Sequence, residues 1–89
     1  MKIAVWDTYV QRTDGKKMHF DIIVPQQIIE PEVIYQYGQD YLRGKLVKSE
    51  ILSSKECAFC HIEEATQIII IIKDIETKGY HIVEMENCD

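Results

Sequence analysis

The tightest constraint on this chain is a turn. Thr13-Asp14-Gly15-Lys16 separates two runs, 2–10 and 17–24, that are rich in β-branched and aromatic residues. Asp-Gly favours a hairpin because a type I′ turn needs positive φ at both central positions, which this pair tolerates. A two-residue or a four-residue loop gives the same pairing: Val10 opposite His19, Thr8 opposite Asp21, Trp6 opposite Ile23. One face then carries Ile3, Val5, Tyr9, Phe20, Ile22 and Val24, with Asp7 among them. The other carries Ala4, Trp6, Thr8, Val10, His19, Asp21 and Ile23. Both faces are largely apolar, so the hairpin is expected at the centre of a sheet with cover on each side.

Downstream, Pro25 ends the second strand and Pro31 opens a helix, where its missing N–H costs nothing. Ile29 and Ile34 stand at hydrophobic-staple spacing, Glu32 lies in the first turn, and Arg43-Gly44 supplies a basic last turn and a stop. Ile34, Tyr37, Gly38, Tyr41 and Leu42 recur at helical period, which predicts a helix over 31–43 with Gly38 on its buried stripe. Residues 45–55 read as polar and irregular. Ser53-Ser54-Lys55-Glu56 resembles a capping box, yet Phe59, His61 and Glu63 alternate with Ala58, Cys60 and Ile62, which predicts a short strand over 57–63. Ile68 to Ile72 is an unbroken isoleucine run. Propensity alone makes it a buried strand, but Thr66 as N-cap, apolar spacing at 68, 71, 72 and 75, and the Lys78-Gly79 stop predict a helix over 67–78. Tyr80 to Glu86 closes the chain as a strand, joined through that helix by a right-handed parallel crossover. The expectation is a single α+β domain over 1–89, in ββαβαβ order, with a mixed sheet covered by helices.

Five segments stand along the chain in a recognisable order: Ala4-Val5-Trp6-Asp7-Thr8-Tyr9-Val10, Met18-His19-Phe20-Asp21-Ile22, Tyr41-Leu42, Cys57-x-Phe59-Cys60-His61-Ile62-Glu63, and Gly79-Tyr80 through Ile82 to Glu84-Met85-Glu86. Together they resemble a small bacterial family, domain of unknown function 2024. The resemblance spans nearly the whole chain in order and implies a single α+β domain with no established activity. The isoleucine run departs from the more charged helix it implies.

Size and charge narrow the function classes. Eighty-nine residues, 46% of them apolar, can bury a core without a metal or a crosslink. A net charge of −5 with no basic stripe argues against nucleic acid as a partner. The N-terminus turns polar early and no apolar run reaches the ~18 residues of a membrane span. A cytoplasmic protein without membrane contact is expected, with Cys57, Cys60 and Cys88 reduced.

Cys57-x-x-Cys60-His61 crowds two thiols and an imidazole and admits three chemistries. Haem attachment takes place outside the cytoplasm, so haem is disfavoured and no cofactor is expected. Zinc could take these three ligands with Cys88, His19 or His81 as a fourth. A thiol/disulfide pair needs one exposed, acidified thiolate. Against these stands plain packing, with Phe59, Cys60 and Ile62 in the core. A strand over 57–63 would send the two thiols to opposite faces and forbid both a shared metal and a disulfide. A second candidate is a polar cluster on the hairpin, His19 and Asp21 with Thr8 and Trp6 across from them and Asp7 on the other face. A hydrogen-bonded structural cluster explains it more readily than a general base. The leading expectation is a non-enzymatic module that binds a protein or a second copy of itself. The alternative is a zinc or thiol-redox protein built on Cys57, Cys60 and His61.

Overall fold

The hairpin forms, one residue out of the expected register. The structure, a computed structural model, describes residues 2–45, 49–57 and 65–88. Strands β1 (Ile3–Arg12) and β2 (Lys17–Pro25) pair antiparallel with Val10 opposite Met18, Thr8 opposite Phe20 and Trp6 opposite Ile22. The cause is the loop. The Arg12 N–H donates to the Lys16 carbonyl at 2.9 Å and the Gly15 N–H to the Arg12 carbonyl at 3.1 Å, which leaves Thr13, Asp14 and Gly15 as a three-residue loop. Gly15 sits at φ 91°, the left-handed position that ends such a loop. An odd loop shifts every pair by one relative to an even loop. Arg12, itself buried, secures this turn by binding both Asp14 carboxylate oxygens, at 3.2 and 2.7 Å, and the Asn87 carbonyl at 2.7 Å.

The hairpin is central, as its two apolar faces require. Among the described residues the sheet has four strands in the order β3-β1-β2-β4, with β3 spanning Ser49–Glu56 and β4 His81–Glu86. All three pairings are antiparallel, which corrects the expected mixed sheet and parallel crossover. The two edge strands are separated by the whole hairpin, so the helix joining them connects strands that never meet. The α+β class and the ββαβαβ order stand.

Helices cover opposite faces. Helix α1 (Pro31–Arg43) buries Ile34, Gly38 and Leu42 against Ala4, Trp6, Val10, Met18, Phe20, Ile22 and Val24. Gly38 lets the helix approach the sheet closely: a Cβ would stand 3.0 Å from Ile51 Cδ1 and 3.4 Å from Ile22 Cδ1. The expected staple does not form, since Ile29 is 69% exposed and Ile28 packs on the core instead. Helix α2 (Ala65–Lys78) begins two residues before the expected start, which places Thr66 inside it rather than at its cap. It buries Ile71 and Ile75 against Val5 and Ile23 on the other face.

The third strand is the main misreading. It occupies 49–56, where the sequence reads as irregular, and Cys57 lies beyond its end. An edge strand packed on one side needs few apolar residues, and among its residues Ile51 alone is buried. The strand expected over 57–63 lies, from residue 58 on, outside the described residues. Among the described residues, no helix is long and apolar enough to cross a membrane.

Candidate functional site

The register decides which polar side chains meet. In the observed pairing Asp7 faces Asp21 and Tyr9 faces His19 as direct partners, so all four project from the α2-side face. Lys55 of β3 pairs with Asp7 from the other side, on the same face. Trp6 and Thr8 project the opposite way, into the α1-side core. The expected cluster therefore divides: His19 and Asp21 stay together, Asp7 joins them, and Trp6 and Thr8 leave. Thr8 Oγ1 lies 3.2 Å from the Trp6 carbonyl, to which it donates, and 2.9 Å from Ser54 Oγ. The buried Trp6 Nε1 makes no hydrogen bond among the described residues.

The remaining trio is close-set. His19 Nε2 lies 3.3 Å from Asp7 Oδ1 and 3.6 Å from Asp21 Oδ1. Tyr9 stacks on the imidazole with ring centroids 4.4 Å apart and planes 9° from parallel, which fixes the ring orientation. Side-chain exposure falls from 36% at Asp7 to 17% at His19 and 13% at Asp21. Asp21 Oδ1 is buried and accepts no hydrogen bond among the described residues. Its carboxyl is pushed up to about 7. Burial is the largest cause; the facing Asp7 carboxyl adds to it, sharing a proton with Asp21 when one is present and repelling it when both are charged. The His19 charge acts in the opposite direction. Sequence reasoning missed Asp7 and Tyr9 as partners of His19. The signal was Gly15 read as the last residue of a three-residue loop.

Other candidates are less concentrated. His81 Nδ1 is engaged by Asp74 Oδ2 at 2.6 Å, an ordinary ion-pair geometry bridging β4 and α2. Cys88 is a free, buried thiol on the α1 side, donating to the backbone carbonyls of His19 and Glu86 at 3.3 Å. His19 and His81 thus lie on one face and Cys88 on the other. Cys57 is disulfide-bonded, against the expectation of reduced thiols. It follows the end of β3, and its N–H donates to the Val5 carbonyl at 2.7 Å. Cys60 and His61, and with them the convergence of that motif, lie outside the described residues.

A groove of about 300 Å³ runs by β4, lined by Tyr41, Asp74, Lys78, Tyr80, Ile82 and Glu84. Its polar groups already serve one another. Glu84 accepts from Lys45 at 2.6 Å and from Tyr41, which together hold its carboxyl below the usual range, and Lys78 lies over the Tyr80 ring. The other exposed feature is apolar: Ile68, Ile69 and Ile70 on α2 are 39%, 66% and 55% exposed.

Comparison with known proteins adds one finding. The model of a family described as a domain of unknown function (DUF2024) matches residues 1–85. No curated protein and no solved structure matches the chain.

Proposed function

The chain belongs to the DUF2024 family, and from that premise we propose that it is a binding module which pairs with a second copy of itself through α2. The observation that carries this reading is the exposed pair Ile69 and Ile70, turned away from the buried Ile71 and Ile75 of the same helix, with Ile68 39% exposed at the margin of the buried side. A folded domain gains nothing from leaving two large aliphatic side chains more than half in water, and contiguous apolar patches mark association sites. Lys73 and Glu76, exposed on the same helix, carry opposite signs, so two copies do not repel each other there. A stable pair buries roughly 1,200–2,000 Å²; the isoleucines form its apolar centre and the flanking polar surface its rim. Sedimentation velocity from micromolar to millimolar concentration tests this. A dimer that dissociates on dilution is expected, and Ile69→Lys should abolish it. A strict monomer across the range would sink the reading.

A second reading has its own observation. The disulfide at Cys57 favours thiol–disulfide exchange over zinc, because a disulfide sulfur is not a thiolate ligand. Thiol titration and elemental analysis of protein purified without a histidine tag separate the two. Purification without reductant should leave a single titratable thiol after denaturation, that of Cys88. Three thiols with bound zinc would reverse the preference.

A further inference from the structure

We infer that Asp7, His19 and Asp21 form a binding site for one divalent transition-metal ion on the α2-side face of the sheet. Their ligand atoms all lie within 4.8 Å of one another. The spacings have the scale of a coordination shell and are looser than a tight ion pair. Metal–ligand bonds of about 2.1 Å at tetrahedral angles put neighbouring ligand atoms roughly 3.4 Å apart. His19 Nε2 stands 3.3 Å from Asp7 Oδ1 and 3.6 Å from Asp21 Oδ1. The same protein shows what a plain histidine–carboxylate pair looks like, at 2.6 Å between His81 and Asp74.

An independent observation points to a ligand. Asp21 Oδ1 is buried, faces His19 at 3.6 Å and accepts no hydrogen bond among the described residues. A buried acceptor without a partner is costly and uncommon. Here it stands beside a second carboxylate, set directly opposite it by the β1–β2 pairing. A cation between them supplies the partner that Asp21 Oδ1 lacks. The positions belong to the two central strands and the Tyr9 ring holds the imidazole in place, so the donors are set before any ion arrives. Two carboxylates alone would suit magnesium or calcium, but the imidazole shifts the preference to manganese, cobalt or zinc. Three protein ligands leave a coordination position for water, and the 36% exposed Asp7 marks the side open to solvent.

Manganese is the probe of choice, because it favours oxygen and nitrogen donors and leaves the cysteines out of account. Manganese chloride is titrated into the full chain while the ring protons of His19 and His81 are followed by NMR, with calorimetry in parallel. The expected result is saturation at one ion per chain, with His19 signals broadened at substoichiometric manganese while those of His81 persist. Asp21→Asn keeps the side-chain shape and should weaken binding at least about tenfold. Asp7→Asn, at a half-exposed position, should do the same should the first variant fold poorly. Unsaturable broadening that affects His81 equally would overturn the site. So would undiminished affinity in the folded asparagine variants.

Discussion

Ile69 and Ile71 are two residues apart, and replacing each with alanine tests the central ambiguity of the chain. In a strand they would share a face and be equally buried; in a helix they point about 200° apart. The structure leaves Ile71 2% exposed among Val5, Ile23 and Ile75, and Ile69 66% exposed. Ile71→Ala removes three buried carbons, about 2.4 kcal/mol of transfer free energy at ~0.8 kcal/mol each. The cavity left in so small a cluster brings the total to about 3 kcal/mol. For Ile69→Ala roughly a third of that transfer term applies, and the better helix propensity of alanine offsets about half of it. The net change should stay within about 0.5 kcal/mol of zero. Urea denaturation with a common slope measures both, and thermal melting should show Ile71→Ala lowered by about 12–24 °C. Equal losses at the two positions would refute the helical phase of α2. With it would fall the apolar ridge on which self-pairing rests.

Four further outcomes follow from the geometry. Arg12→Ala removes a buried guanidinium from Asp14 and the Asn87 carbonyl and should cost about 2–3 kcal/mol in urea unfolding; a loss below ~0.5 kcal/mol would contradict that role. Gly38→Leu forces side-chain volume onto Ile51 and Ile22 and should cost about 2–3 kcal/mol in the same assay. Gly38→Ala should fall near zero, because gained helix propensity opposes a contact with movable methyl groups. In chelator-treated protein, stability should fall as pH rises from about 4 to 7, because the folded chain holds the Asp21 proton up to about 7 while the unfolded chain releases it near 3.8. That interval sets a ceiling of about 4 kcal/mol, and screening by the solvent that reaches the cluster beside Asp7 reduces it to on the order of 1–2 kcal/mol. Asp21→Asn should flatten this part of the pH–stability curve, and an unchanged slope would refute the assignment.

Local sequence determined much of the architecture. Pro31, the Ile34-Gly38-Leu42 spacing and Arg43-Gly44 suffice to place α1 at 31–43, because a helix is written in contacts three and four residues apart. Asp14-Gly15 between two apolar runs suffices for a hairpin, and two apolar faces suffice to put it at the centre. The order of elements and the family were legible for the same reason.

Tertiary structure decided the rest. One extra loop residue, made possible by the left-handed Gly15, turned every side chain of one strand relative to the other. Asp7 and Tyr9 thereby came to face Asp21 and His19, and no periodicity within either strand contains that choice. The β3 segment Ser49–Glu56 is polar because an edge strand is paired on one side only, so its place comes from hydrogen bonds to β1 rather than from alternation. The antiparallel direction of both edges was likewise settled by what β1 and β2 left unpaired. A local pattern says which face of an element is apolar; only the partner across the sheet says which residues that face will meet.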